Sequence, residues 1–327
     1  MQIQVSELRQ LRTLACMTSA DGVRPATALL RAPINAQFTS LTVECLQQTR
    51  QLAARALDGF TELGPQSVVA ADHAAVDEMP EEFREVRHNL IATGFSGAEG
   101  AAVNALDHFE ALEHDVARIP APVWSPLSLT RVALEGFTLA CYLLDTTLST
   151  EQRLARIAGL WATEADNSLK AARTFGADEE AHAQRNRAFV SEELAKGGIR
   201  EEKAGNRLIK VWVEETWATP DVNLTEESTR LMPDGMPSPY RLTSGTAHCR
   251  PWMLERSASV DQSAALGYSG EMATVMTAVS VVAFSARHWA AMRAAYLGVD
   301  ISPTLQEMND LHGAYLQRIL EARRTQK

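Results

Sequence analysis

The sequence predicts an all-α protein, a helical bundle of about nine or ten helices in one continuous body. Apolar residues recur at three- and four-residue steps along most of the chain, and two long segments are apolar nearly all round. Only the run Val211 to Val213 suggests a strand. A content of 46% hydrophobic and 22% charged residues over 327 positions is typical of a globular chain.

The first third of the chain shows helical periodicity in three places. The predicted helices span residues 34 to 60, Glu81–Leu90 and Gly97–Arg118. Gly64-Pro65 is expected to end the first of them. Ser96 and Glu99 have the spacing of a capping box, which predicts a helix start near Gly97. Three prolines within 119–126 then mark a connection.

The rest of the chain contains the most apolar helices. Leu127–Asp145 is apolar on nearly every side, so this helix is expected at the centre of the core. Further helices are expected after Ser149 or Thr150, between Gly176 and Gly197, over Met272–Leu297 and after Ser302-Pro303. The segment 199–239 is expected to be irregular apart from the short strand. We expect residues 1–120 to form an N-terminal helical part of the same continuous domain as the core, 121–327.

The net charge and the lengths of the apolar runs argue against several classes of protein. The chain has 31 basic and 41 acidic residues and a net charge of −10, which argues against a dedicated binder of duplex DNA. No apolar run reaches the length of a transmembrane helix, and the N-terminus does not resemble a signal peptide. The four cysteines are far apart, which favours neither a disulfide framework nor a zinc site. These features predict a cytoplasmic protein without a membrane partner.

The strongest candidate chemistry lies in the segment from Tyr240 to His248. Arg241 and His248 are seven residues apart, two helical turns, and Ser244 lies between them on the same face. An arginine that binds a phosphate and a histidine that exchanges a proton can together cleave RNA without a metal. The alternative is structural, with Arg241 paired to a buried carboxylate and His248 packed at an interface.

A second charged pair lies inside the most apolar helix. Arg131 and Glu135 are four residues apart, and charged side chains are rarely buried unless they are paired. Glu135 is therefore expected to pair with Arg131, or to reach Arg241 or His248 and orient it. Both residues are candidates for support of the site, together with Tyr240 and Ser244.

A metal site is the weaker hypothesis. Glu85 with His88, and Glu179 with His182, have the E-x-x-H spacing of di-iron helical bundles. Acidic residues make up about one in eight positions, so one such match among eight histidines is expected by chance. Asp107, Glu110 and His114 share another helix face, but both E-x-x-H segments are densely charged. The sequence therefore predicts no metal and no cofactor.

Two segments together resemble a known group. SPLSLTRVALEGFTLACYLLDTTLSTEQRLAR and PSPYRLTSGTAHCRPWML resemble the "aRaalE…wLLD…s..eRlaR" and "YR.lSg.aHG.pw.l" stretches of uncharacterised helical proteins from actinobacteria. The resemblance covers roughly residues 125–305. That group is distantly similar to the HEPN superfamily, whose members are all-helical, usually dimeric, and often act on RNA through an Arg…His motif with four to six intervening residues. Six residues separate Arg241 from His248, while Leu242 and Cys249 depart from the patterns.

The resemblance implies an HEPN-like fold and a homodimer. It favours a metal-independent endoribonuclease or an RNA-binding protein that is a toxin or defence component, with Arg241 as phosphate clamp and His248 as general acid or base. Two alternatives remain open. One is a small-molecule enzyme or binder with a pocket between helices 127–145 and 272–297, and the other is a non-catalytic interaction scaffold.

Overall fold

A computed structural model describes residues 36–58, 63–64, 66–118, 122–234, 239–250, 258–260, 266–268 and 272–324. This part of the chain forms ten helices and two small antiparallel sheets, which confirms the all-α class. In chain order the elements are α1 Ala36–Asp58, α2 Val68–Asp77, α3 Glu81–Val116, α4 Ser125–Leu143, α5 Thr150–Ala172, α6 Ala177–Lys196, β1 Ile199–Ala204, β2 Arg207–Val213, β3 Thr216–Ala218, α7 Leu224–Arg230, α8 Pro239–Ala247, β4 Ala258–Val260, β5 Leu266–Tyr268, α9 Met272–Leu297 and α10 Ser302–Arg324.

Helix α4 is central, as its sequence predicts. It packs against α3 on one side and α9 on another. Leu134, Phe137 and Ala140 are inaccessible to solvent, and the Phe137 ring lies 5.5 Å from that of Trp289 in α9. The facing sides of α4 and α9 are therefore in direct contact at the place where the small-molecule hypothesis would put a ligand.

The prediction of two helices between residues 81 and 118 is wrong. Residues Glu81–Val116 form one helix of 36 residues, and Ser96 and Glu99 lie in its middle. The capping spacing has no capping role there, because Glu99 instead pairs with Arg293 of α9 at 2.8 Å. A capping box needs a non-helical residue before it, and here the preceding turn continues the helix.

Small residues bring α3 and α4 close together. A Cβ at Gly136 in α4 would lie 2.6 Å from the carbonyl oxygen of Ala101 in α3. Ala98, Ala102 and Ala105 of α3 are inaccessible to solvent. The two backbones therefore approach more closely than larger side chains would allow.

The segment 199–239 is more regular than its sequence predicts. Strands β1, β2 and β3 form one antiparallel sheet, in which the predicted strand Val211 to Val213 lies within β2. Val211 and Val213 are buried on the side of the sheet that packs against α5. The following helix α7 is capped by Asn223, whose side chain accepts a hydrogen bond from the Glu226 N–H. The sequence pattern does not reveal the sheet because its other face is exposed to solvent and β1 carries four charged residues.

The hydrophobic core extends through most of the described chain, from Phe38 in α1 to Ile319 in α10. Helix α1 packs against α3, α9 and α10, so the outermost helices are joined to the same core as α4. The predicted helix over 34 to 60 begins at Ala36 and ends at Asp58 among the described residues. Within the described ranges, no helix has both the length and the apolarity needed to cross a membrane.

Candidate functional site

Helix α8, which carries the Tyr240–His248 motif, is tethered to the central helix by Arg131. The Arg131 guanidinium donates to the Tyr240 hydroxyl at 3.1 Å and to Ser244 Oγ at 3.2 Å, and it lies 5.0 Å from the centre of the Tyr240 ring. Glu135 accepts from Arg131 Nε at 2.7 Å. The structure thus brings four of the six predicted site residues into one network, and the predicted pairing of Glu135 with Arg131 is confirmed.

The contacts of this network fix the position of α8 on the central helix. The Arg131 side chain is 14% exposed, and its donors contact the carboxylate, the phenol and the hydroxyl. Tyr240 and Ser244 are one turn apart on α8, so a single guanidinium fixes both the position and the rotation of that helix. The donors of Arg131 are occupied by these contacts, and through them Arg131 sets the orientation of α8, which also carries Arg241 and His248.

Helix α8 ends in a Schellman motif. The Arg250 N–H donates to the Gly245 carbonyl at 2.9 Å and the Cys249 N–H donates to the Thr246 carbonyl at 3.0 Å. Cys249 has φ 50°, the left-handed conformation that this motif requires and that favours glycine. His248 is the last residue before this turn, and its N–H still donates to the Ser244 carbonyl.

Arg241 lies on the outer side of α8 at an open groove. The groove has a volume of about 560 Å³ and is lined by one side of α7, by the residue that caps it and by Arg241. The lining residues are Asn223, Thr225, Glu226, Thr229, Arg230 and Arg241. The list includes two arginines and one carboxylate, and most of the exposed surface of the groove comes from carbon atoms of these side chains.

The side chain of Arg241 is exposed, and no residue in the described part of the chain forms a hydrogen bond or an ion pair with its guanidinium. The alternative in which Arg241 pairs with a buried carboxylate has no support among these residues. An exposed arginine at an open groove keeps its donors available for an anion, such as a phosphate or a carboxylate.

Arg230, the second arginine of the groove, is held by carboxylates behind it. Its guanidinium lies 2.9 Å from Glu227 and 3.7 Å from Asp145. Burial alone would raise the pKa of Asp145, but hydrogen bonds from Thr147 and the charges of Arg156 and Arg230 outweigh it and lower that pKa. Asp145 is therefore a buried anion that holds Arg230 at the edge of the groove.

His248 is exposed, like Arg241. It lies outside the helical core, at the C-terminal end of the helix that Arg131 tethers. The described residues do not bury His248, so they give no support to the alternative in which it is packed at an interface within this chain. An exposed imidazole is accessible both to solvent and to a substrate bound along α8.

The proposed metal ligands are placed elsewhere. His88 contacts His73, with 2.6 Å between their Nδ1 atoms, and Asp77, with 2.9 Å between Nε2 and Oδ1. Glu85, Glu179 and His182 are exposed. Among the residues that the structure describes, no group of three or more histidine, cysteine, aspartate or glutamate side chains is arranged to bind a metal ion.

Sequence reasoning missed the part of the groove that α7 contributes. Thr225, Thr229 and Arg230 belong to a helix of seven residues inside the segment expected to be irregular. The signal that could have found this helix is the spacing of Asn223 and Glu226, an N-cap with an acidic residue three positions later. The role of Asp145 had no local signal, because its arginine partners come from distant positions in the chain.

Comparison with known proteins gives no relative to support or oppose the resemblance. No protein-family model matches the chain, and neither a curated protein nor a solved structure matches it. The geometry of α7, α8 and the groove between them is therefore the basis for a proposed function.

Proposed function

We propose that the groove between α7 and α8 binds RNA phosphates and that the protein is a metal-independent endoribonuclease of the HEPN-like kind. The observation that carries this proposal is Arg241, exposed at an open groove beside Arg230, on a helix that Arg131 holds in place. In a protein with a net charge of −10, the exposed guanidinium of Arg241 offers a local site for an anion, whereas Arg230 already pairs with Glu227 and Asp145.

Arg241 and His248 have complementary parts in this chemistry. The Arg241 guanidinium binds a phosphate and stabilises the charge that develops on it. The neutral imidazole of His248 accepts the proton of the ribose 2′-hydroxyl, and the 2′-oxygen attacks phosphorus. The bond from phosphorus to the 5′-oxygen breaks, the 5′-oxygen takes a proton from solvent, and His248 releases its proton to solvent. The products have a 2′,3′-cyclic phosphate and a 5′-hydroxyl.

The remaining residues of the motif position these two groups. Tyr240 and Ser244 bind Arg131, and Arg131 binds Glu135, so α8 has a fixed rotation on α4. On such a helix, residues 241 and 248 point to nearly the same side because seven residues make about two turns. Arg131, Glu135, Tyr240 and Ser244 are therefore positioning residues in this proposal.

The test is incubation of the purified protein with single-stranded RNA in EDTA, with analysis of the product ends. We expect cleavage that leaves 2′,3′-cyclic phosphates. Arg241→Ala should lower kcat/KM by a factor of about 10 to 100, because it removes a charged hydrogen-bond partner of the phosphate worth about 1.5–3 kcal/mol.

Arg185→Ala is the matched control, because Arg185 is an exposed arginine on α6, outside the groove. This variant should retain the activity of the wild type. Absence of cleavage by the wild type, or equal loss of activity in Arg185→Ala and Arg241→Ala, would contradict the proposal.

A further inference from the structure

The outer face of the sheet β1–β2–β3 carries an aromatic and basic surface that the proposed reaction does not use. Arg200, Trp212 and Trp217 are directly opposite one another across the three strands, so their side chains form one row on one face. The opposite face packs on α5. We call Arg200, Lys210, Trp212 and Trp217 the tryptophan face.

Cations lie against both indole rings of this face. The Lys210 Nζ is 4.7 Å from the centre of the Trp217 ring and 5.4 Å from that of Trp212. The Arg200 guanidinium carbon is 5.0 Å from the centre of the Trp212 ring. Glu202 accepts from Trp212 Nε1 at 2.8 Å, which fixes the inner ring and leaves the outer ring, Trp217, as the more accessible one.

Trp217 is exposed to an extent that packing within the described chain does not explain. Nearly half of this large apolar residue, 47%, is accessible to solvent, although it lies next to another tryptophan at a ring distance of 6.2 Å. Proteins that bind unpaired bases without sequence preference use surfaces on which aromatic rings alternate with lysine and arginine. The bases stack on the rings, and the phosphates contact the cations.

The tryptophan face is close along the chain to the groove. Five residues lie between Trp217 and Asn223, which lines the groove, so their Cα atoms are at most about 22 Å apart. Arg207, 81% exposed, adds a further cation at the β1–β2 end of the sheet, where its nearest carboxylate is Asp221 at 4.0 Å.

We propose that the tryptophan face binds the bases of single-stranded RNA, with Trp217 as the stacking residue and Lys210 and Arg200 as phosphate contacts. This inference rests on the proposed function for the identity of the polymer, and it adds the requirement that the RNA is unpaired. Stacking needs an open base face, which a duplex does not offer except at its ends.

The test measures binding without cleavage. A fluorescein-labelled twelve-nucleotide 2′-O-methyl oligouridylate has no free 2′-hydroxyl, so it cannot undergo the proposed reaction, and its fluorescence anisotropy reports the Kd. Stacking of one base on an aromatic residue is worth about 1–3 kcal/mol, so Trp217→Ala should raise the Kd about 5- to 150-fold. Trp217→Phe should retain much of the affinity, because it keeps an aromatic ring.

Phe189→Ala is the matched control, since Phe189 is an exposed aromatic residue, 53% accessible, on α6 and outside the tryptophan face. We expect this variant to bind like the wild type, and we expect a duplex of the same length to bind more weakly than the single strand. The inference is overturned if the wild type does not bind the oligonucleotide, if Trp217→Ala binds it as tightly as the wild type does, if Phe189→Ala loses as much affinity, or if the duplex binds equally well.

The same measurement separates this inference from the proposed function. If Trp217→Ala weakens binding but the wild type cleaves no RNA in EDTA, the tryptophan face stands as a binding site and the nuclease proposal fails. If the wild type cleaves RNA and Trp217→Ala leaves the Kd unchanged, the nuclease proposal stands and the tryptophan face fails.

Discussion

Single residues account for the geometry of the candidate site. Arg131 makes contacts with Glu135, Tyr240 and Ser244 that no other described cation makes, and it thereby connects the central helix to the motif. The spacing of these residues along the chain predicted that each pair shares a helix face. It did not predict that the two faces meet, because that depends on how α8 packs on α4. Arg241, by contrast, was singled out from the sequence and is exposed at a groove.

Cys249 gives a prediction about the end of α8. Its φ of 50° is the left-handed conformation, which costs a residue with a Cβ about 1–2 kcal/mol and costs glycine little. Cys249→Gly should therefore stabilise the protein by up to about 1 kcal/mol, once the larger chain entropy of glycine is subtracted. The measurement is the urea midpoint. Ala247→Gly, two positions earlier at the last residue of α8, should instead destabilise by about 0.5–1 kcal/mol, and stabilisation by both variants would contradict this interpretation.

His312 gives a prediction about pH. It is buried in α10, where its Nε2 lies 3.2 Å from Ser280 Oγ, and burial lowers its pKa to about 4. The imidazole in the unfolded chain titrates near 6.5, so between these values the unfolded chain binds more protons. Stability contributed by His312 is therefore present above pH 6.5 and is lost as the pH falls towards 4, by up to about 1.4 kcal/mol per pH unit.

His312→Gln keeps a side chain that can hydrogen-bond to Ser280 and removes this titration. Chemical denaturation at a series of pH values from 7 to 4 should show a shallower loss of stability in the variant than in the wild type. His73 and His288, whose pKa values are also lowered first by burial, are present in both proteins and cancel in the comparison. Equal slopes would show that His312 is not the titrating group.

At the scale of elements, periodicity predicted the helices well where one face is strongly apolar, as in α4 and α9. The prediction from periodicity failed where a short sequence motif and contacts with distant residues favour different structures. Ser96 and Glu99 imitate a cap, but the contacts of Glu99 with Arg293 and of Gly94 with Ile157 keep that region helical and packed. The strands of the small sheet were missed because one face is solvated and β1 is rich in charge.

The close approach of α3 and α4 can be tested at two glycines. Gly136→Ala should destabilise by about 1–3 kcal/mol, because the new methyl group meets the Ala101 carbonyl at 2.6 Å, and this outweighs the gain in helix propensity of about 1 kcal/mol. Gly100→Ala is the control, since a Cβ there meets nothing within 4 Å, and it should stabilise by up to about 1 kcal/mol. Opposite signs in a urea titration are the expected result, and stabilisation by both substitutions would show that the helices do not approach so closely.

For the whole molecule, buried ion pairs join helices that are far apart in the chain. Arg293 of α9 donates to both carboxylate oxygens of Glu99 in α3 and to the Ala56 carbonyl of α1. These contacts hold three helices of the bundle together around one buried cation. Periodicity indicates which segments are helical, but it does not indicate which residues nearly 200 positions apart are in contact. The helical segments that carry this network were therefore predicted, and the contacts of Arg293 were not.

Glu99→Ala should cost about 3 kcal/mol of unfolding free energy, because it removes the carboxylate that accepts two hydrogen bonds from the buried Arg293 cation. The control is the exposed pair of Arg55 and Glu307, whose side chains are 64% and 60% accessible and 3.6 Å apart. Glu307→Ala should change stability by no more than about 1 kcal/mol. Similar losses in the two variants would mean that Arg293 is not as buried as its contacts indicate.

The central claim is that His248 is the proton-transfer group of a nuclease. The most direct test compares RNA cleavage in EDTA and melting temperature for the wild type, His248→Ala and His182→Ala, in which His182 is an exposed histidine on α6. We expect His248→Ala to lose cleavage by a factor of about 100 or more and to melt like the wild type, while His182→Ala retains both. A clear fall in melting temperature of His248→Ala with cleavage retained, or no cleavage by the wild type, would contradict the claim.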